Sequence, residues 1–266
     1  MATVTLASGV TLSCVEQGDE SAPVLLLLPG PTDSWRSYQQ VLDRLPRSMR
    51  AIAVSQRGHG DSDKPATGYR VEDFAADAVL LLDALGVNRA VLAGHSGSCF
   101  VARRVAIDQP ERVAGLILEA SPTTLRGDPR LRDFVTSIVS GLEDPISEDF
   151  ARAFVVDTSS ENVPPDVLDE LALELLKVPA RVWREVFADL LEYDDTPQLG
   201  HIDAPTLLLW GTADTLVTRT MQDLLATSIR GARLVVYDGV GHTPRWDDPA
   251  RFSADVASFV EGLGGP

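Results

Sequence analysis

Lysine is almost missing from this chain: Lys64 and Lys177 are the only two in 266 residues, and acidic side chains outnumber Lys and Arg by 39 to 23. A net charge of −16 leaves no clustered cations for a phosphate backbone. That excludes nucleic acid as a partner and disfavours long-range capture of anionic substrates. Scarce lysine beside frequent arginine, alanine and valine reads as high-GC bacterial coding rather than as a functional signal. Cysteine is as rare. Cys14, on an expected N-terminal strand, and Cys99, on an expected helix, have no spacing that suggests a disulfide framework or a metal site. No apolar run reaches membrane-spanning length, and Met1 to Thr5 carries neither the basic segment nor the apolar core of a signal peptide. The expectation is a cytoplasmic protein with no membrane partner and a small-molecule substrate. There is no His-rich cluster and no dinucleotide glycine fingerprint opening the first helix, so no metal or organic cofactor is implied. Nothing in the sequence assigns an oligomeric state.

What is present begins with Val91 to Ser98, an apolar strand that ends in a serine flanked by small residues and runs into a helix-like segment, Cys99 to Asp108. A serine at a tight strand-to-helix turn is lifted clear of the sheet, beside helix N–H groups that favour negative charge. Serine alone is a weak nucleophile and needs a base. The chain has four histidines. His59 lies in a Gly/Asp loop and reads as solvated or bracing a turn. His95 adjoins Ser96 and is expected beneath the turn, and His201 sits in a connection and reads as surface. His242 follows the strand Arg233 to Tyr237 in the loop Gly239 to Pro244, at the sheet edge where ligands bind.

The acid follows similarly. Thr206 to Trp210 reads as a buried strand, and Gly211 to Asp214 turns off its end. Taken alone, Asp214 reads as the cap of a helix beginning near Leu216. With Ser96 and His242 also at strand ends, in the order Ser, Asp, His, it reads as the carboxylate that orients an imidazole. Glu119, ending the strand Val113 to Leu118, is the reserve.

These residues, with Leu25 to Gly30, Arg57 to Ser62, Gly241-His242 and Asp248-Pro249, make the chain resemble the α/β-hydrolase superfamily over nearly its whole length. The resemblance implies an α/β-hydrolase fold, with a mostly parallel central sheet covered by helices on both faces. Ser96 excludes the aspartate-nucleophile branches, the haloalkane dehalogenases and epoxide hydrolases, whose alkyl-enzyme ester needs a carboxylate there. Two positions depart from the family pattern. The elbow usually reads G-x-S-x-G, and Ser98 takes the last glycine's place. The loop usually has His-Gly followed by a residue whose N–H enters the oxyanion hole. Here it reads Pro29-Gly30-Pro31, and Pro31 has no N–H. Gly97 N–H still donates on this reading. Either Thr32 supplies an N–H or hydroxyl after a local shift, which is the favoured expectation, or the enzyme acts on activated substrates, or it binds a ligand without efficient turnover.

Strand and helix alternate along the chain. A hairpin is expected over 2–16, strands over Val24 to Leu28 and Ala51 to Ser55, and helices over Trp35 to Leu45 and from Val71 to a stop at Gly86. Residues 122–200 hold no convincing strand but four helical stretches, Arg130 to Ser140, Glu148 to Val156, Asp166 to Lys177 and Ala180 to Tyr193. They are expected as a helical cap over Ser96, with 1–121 and 201–266 as the core. Phe134, Phe150, Phe154, Trp183, Phe187 and Tyr193 are its large side chains, and Trp183, Phe187 and Phe134 are assigned to substrate binding.

The function expected is hydrolysis of a carboxylic ester or lactone of a small, mainly apolar substrate through an acyl-enzyme on Ser96. The resemblance keeps alternatives open: enol-lactonase, C–C bond hydrolase, haloperoxidase-type perhydrolase or cofactor-free dioxygenase. From another class, a ligand-binding receptor with slow or no turnover is supported by Pro31.

Overall fold

The strands form one eight-stranded sheet in the order β1-β2-β4-β3-β5-β6-β7-β8. The structure is a computed structural model that describes residues 1–264, so the last two residues of the 201–266 span lie outside the described residues. The strands are β1 (Ala2–Thr5), β2 (Thr11–Gln17), β3 (Val24–Leu28), β4 (Arg50–Ser55), β5 (Ala90–His95), β6 (Val113–Glu119), β7 (Thr206–Gly211) and β8 (Arg233–Tyr237). β1 and β2 pair antiparallel, β2 joins β4 antiparallel, and every other pairing is parallel.

A parallel sheet covered on both faces needs strands apolar on both sides. Leu25, Leu27, Ala51, Ala53, Leu207 and Leu209 turn one way, onto Tyr38, Val41, Phe252 and Val256. Leu26, Leu28, Ile52, Val54, Leu92 and Leu208 turn the other way, into the larger core. The helices are α1 (Gln39–Leu42), α2 (Val71–Ala84), α3 (Ser98–Asp108), α4 (Pro129–Ser137), α5 (Glu148–Asp157), α6 (Pro165–Leu175), α7 (Ala180–Leu190), α8 (Arg219–Ser228), α9 (Pro244–Asp247) and α10 (Pro249–Gly262). The single helix expected from Trp35 to Leu45 is instead a 3-10 turn, Trp35–Tyr38, running into one α-turn. α2 ends in a Schellman motif: Gly86 has φ +66°, Gly86 N–H donates to Asp83 O and Val87 N–H to Leu82 O.

Between β6 and β7 the chain leaves the sheet and forms α4 to α7. α7 buries Val182, Trp183, Val186, Phe187 and Leu190 along one stripe, the three-four spacing of a packed helix. Both roots of this segment are held by Arg103 of α3. Its fully buried guanidinium donates to Asp195 at 3.0 and 2.6 Å and to the carbonyls of Pro122 and Thr123 at 2.8 and 3.0 Å. No helix among the described residues is long and apolar enough to cross a membrane.

Because β3 and β5 to β8 run parallel, their carboxyl ends share one edge of the sheet. Pro31, Ser96, Glu119, Asp214 and His242 all follow or end these strands.

Candidate active site

Ser96 stands between β5 and α3 with φ +52°, a left-handed conformation that a side chain adopts only under constraint. The constraint is local. A Cβ at Gly94 would sit 2.6 Å from Ser98 O and 2.9 Å from Cys99 Cα, so only glycine allows strand and helix to approach this closely. Ser96 N–H donates to Glu119 O at 2.9 Å, which ties the turn to the neighbouring strand. Ser98, in the place of the usual glycine, is buried and accepts a hydrogen bond from Gln56 Nε2 at 2.9 Å.

The structure brings Ser96, His242 and Asp214 together. His242 Nδ1 lies 2.9 Å from Asp214 Oδ2, and Nε2 lies 2.9 Å from Ser96 Oγ. A carboxylate can only accept, so Nδ1 carries the proton and Nε2 is free to accept from the serine hydroxyl. Asp214 Oδ1 accepts from the N–H groups of Leu216 and Val217 at 2.8 and 2.9 Å. Capping and orienting are therefore both done by this carboxylate, one oxygen for each. The loops carrying Asp214 and His242 are bonded together, Ala213 N–H to Val240 O and Thr212 N–H to Tyr237 O at 2.9 Å each.

His95 is buried beneath the turn. Its Nε2 donates to the His242 carbonyl at 3.1 Å, and burial holds its pKa well below the ordinary histidine value. His59 is buried rather than solvated, with Nδ1 2.7 Å from Arg57 O, and burial pushes its pKa down to about 4. His201 is exposed, at the end of the 3-10 turn Thr196–His201.

Gly30 to Asp33 forms a β-turn closed by Asp33 N–H to Gly30 O at 3.0 Å. Proline fixes a negative φ at its second position, and Thr32 has φ +74° at the third, which makes it type II with threonine where glycine is usual. Pro31 and Gly97 line the cavity above Ser96, and Thr32 does not. The expectation for the Thr32 hydroxyl is thereby corrected, because it donates to Pro31 O at 2.5 Å. Gly97 is the N-cap of α3, and behind it the Cys99 and Phe100 N–H groups turn back onto Ser96 O and Gly97 O at 3.0 and 3.1 Å.

The cavity over Ser96 measures about 290 Å³. Its apolar wall includes Leu125, Leu131, Phe134, Phe154, Phe187 and Leu190; of its carboxylates and guanidinium, Asp33 is buried, Asp128 half-buried, and Arg130 and Asp157 exposed. Phe134 and Phe187 thus line it. Trp183 does not and is corrected: its indole is fully buried, stacked 5.7 Å from Phe187 and edge-on to Phe150 and Phe154. A fully buried indole in contact with three other rings belongs to the packing of this segment. Phe154 takes the wall position that the sequence left unassigned.

Beneath the site lies a buried cluster that sequence reasoning missed. Glu119, the reserve acid, gives its carboxylate to Arg245, whose Nη1 is 3.1 Å away and whose backbone N–H is 3.0 Å away. Arg245 Nη2 lies 2.9 Å from Asp33 Oδ2. Burial raises the Asp33 pKa to about 6, partly offset by Arg245. An isolated arginine after Gly-His-Thr-Pro gives no sequence signal that two distant carboxylates will surround it.

The chain matches the alpha/beta hydrolase family over residues 25–255. It is similar to a non-heme chloroperoxidase of Streptomyces lividans, 30% identical over 98% of this chain and 100% of the other. Epoxide hydrolase A of Mycobacterium tuberculosis is 26% identical over 96% of each chain. The crystal structure of an esterase from Rhodococcus sp. ECU1013 superposes with a TM-score of 0.84, at 28% identity and 99% coverage of both chains. With the match spanning most of its length and the fold in agreement, the chain belongs to the alpha/beta hydrolase family.

Proposed function

We propose that the protein is a serine hydrolase that opens esters or lactones with small, apolar acyl groups through an acyl-enzyme. The observation that carries this reading is the hydrogen-bonded line from Asp214 through His242 to Ser96, 2.9 Å at each step, at the floor of an apolar cavity. Ser96 Oγ attacks the carbonyl carbon while its proton passes to His242 Nε2. The carbonyl re-forms, the leaving oxygen departs and takes that proton, and the acyl group stays on Ser96. Water then gives a proton to His242 and attacks the ester. Ser96 leaves with the proton and the acid is released. Asp214 holds the neutral imidazole in the required tautomer and stabilises the imidazolium that forms in each step.

Gly97 N–H is the oxyanion donor on this reading, and Pro31 removes the second. Loss of one such donor costs roughly 3–4 kcal/mol, a hundredfold or more in rate. Good turnover is then confined to activated acyl compounds, strained lactones or esters with acidic leaving groups. Ser96 separates this chain from an aspartate-nucleophile epoxide hydrolase. The test is turnover of short and medium p-nitrophenyl esters and a lactone panel by wild type and Ser96→Ala, with a phosphonate to label the serine. Fast, serine-dependent turnover with one adduct on Ser96 supports the proposal. Turnover undiminished in Ser96→Ala overturns it.

Pro31 also favours a second reading, a binding protein that holds its ligand and hydrolyses it slowly. Ligand-induced thermal stabilisation that survives Ser96→Ala, with turnover slower than minutes, would select it.

A further inference from the structure

Three pieces of the site meet at one buried side chain. Arg245 is fully buried and all three of its guanidinium nitrogens are engaged: Nε with Ser37 O at 3.2 Å, Nη1 with Glu119 Oε2 at 3.1 Å and Nη2 with Asp33 Oδ2 at 2.9 Å. The guanidinium carbon lies 5.0 Å from the centre of the Tyr38 ring and 4.5 Å from that of Trp246. Each partner belongs to a different part of the site. Asp33 closes the turn that presents Pro31. Glu119 uses its carbonyl to hold Ser96 N–H at 2.9 Å and its carboxylate to hold Arg245. Arg245 itself follows His242 in α9, and the His242 carbonyl is in turn held by His95 Nε2.

The geometry points to Arg245 as a positioning residue: by bridging Asp33 and Glu119 it sets His242 against Ser96 and the oxyanion turn at once. It touches neither substrate nor reacting atoms and acts through the three loops it joins. Stability alone is a poor reason for such a cluster, since buried ion groups can often be exchanged for apolar side chains without loss of folding. Planar, forked donors in fixed directions are what registration of three separate segments requires, and lysine cannot reproduce them.

The inference rests on the serine-hydrolase reading, and the experiment separates the two. Wild type, Arg245→Lys and the neutral triple Arg245→Met with Glu119→Gln and Asp33→Asn are compared. Thermal unfolding, kcat and KM on p-nitrophenyl butyrate, and the rate of phosphonate labelling of Ser96 are measured. Misplacement of the base by a fraction of an ångström lowers kcat and labelling by about tenfold or more, with KM within about twofold. That is the result expected of folded Arg245→Lys, whose buried charge is kept. If Arg245→Lys does not fold, the triple decides, because it leaves no unpaired charge. A folded variant of either kind with wild-type kcat and labelling rate overturns the inference, and failure of both to fold overturns it too, in favour of a purely structural role. If wild type itself neither labels nor turns over, the hydrolase reading falls and takes this one with it.

Discussion

The Pro31 ring and Gly97 are in mutual contact: a Cβ built on residue 97 would stand 2.7 Å from Pro31 Cγ and 3.1 Å from Leu190 Cδ2. The residue that lacks an N–H is thus packed on the residue whose N–H is the proposed donor. On the proposed mechanism, proline here withholds one oxyanion donor and also fixes the room around the other.

Pro31→Gly restores an N–H at the second position of the turn, and glycine accepts that position without strain. Hydrolysis of unactivated alkyl esters is expected to rise by about tenfold to a hundredfold, less than a full donor's worth because glycine loosens the turn. Aryl esters should gain less. The measurement is the ratio of kcat/KM for ethyl and p-nitrophenyl butyrate in variant and wild type, and an unchanged ratio would sink the oxyanion argument.

Gly97→Ala forces its methyl into the Pro31 ring and the Leu190 side chain. Overpacking of this kind costs about 1–3 kcal/mol and here displaces the donor itself. Activity is expected to fall by roughly tenfold to a hundredfold with a small loss of melting temperature. In a Pro31→Gly background the clash with the ring is gone, so the loss should shrink. A double-mutant cycle on kcat/KM checks it, and strict additivity counts against direct contact.

Asp214 lends one carboxylate oxygen to His242 and the other to the N–H groups of Leu216 and Val217. Asp214→Asn keeps an acceptor for the cap but spoils the imidazole tautomer. It should lose about 10⁴ in kcat and little stability. Asp214→Ala should lose similar activity and about 1 kcal/mol more stability, because the cap goes too. Urea unfolding set beside steady-state kinetics separates these roles.

Much of this was legible in residues whose local pattern has a single physical reading. The apolar runs from Val24 to Leu28 and from Thr206 to Trp210 suit only buried strands, and each lies in the sheet. Gly86 marked the end of α2 because a left-handed position there is what glycine supplies. Ser96, Asp214 and His242 could be named because each sits at a strand end. Arg245 and Asp33 could not, since their meaning comes from contact across more than two hundred residues of chain. Trp183 misled for a related reason. An aromatic at helical spacing looks the same from sequence whether it faces a cavity or other rings. Thr32 misled because its hydroxyl found a nearer acceptor in Pro31 O.

His59 is buried and neutral, its pKa pushed down to about 4 by desolvation. The unfolded chain takes up a proton near pH 6.5 that the folded chain refuses until about pH 4. Between these values the unfolded state binds more protons, so this group's contribution is complete above pH 6.5 and is lost as pH falls toward 4. The loss amounts to about 3 kcal/mol. His59→Asn keeps the donor to Arg57 O and removes the titration. Its stability deficit relative to wild type at pH 7 should narrow or reverse at pH 4.5, as read by urea unfolding at both pH values. A constant deficit would mean that His59 titrates normally.

Arg103 and Asp195 form an ion pair with both side chains fully buried, and the same guanidinium binds the carbonyls of Pro122 and Thr123. One residue of the core helix thus closes the two ends of the inserted helical segment. Removing Arg103 alone strands a buried carboxylate and two carbonyls, and Arg103→Met should cost about 3–5 kcal/mol. Asp195→Leu alone strands a buried cation and should cost a similar amount. Made together, the two changes remove both charges, and the cost should drop well below the sum, leaving chiefly the two unbonded carbonyls at about 1–3 kcal/mol each. Because the pair sits at the roots of the segment, its loss should show first as protease cleavage near residues 122 and 195, ahead of global unfolding. Limited proteolysis of the single variants with mass analysis of the fragments tests this. Cleavage spread evenly over the chain would place the two roots in the same cooperative unit as the sheet.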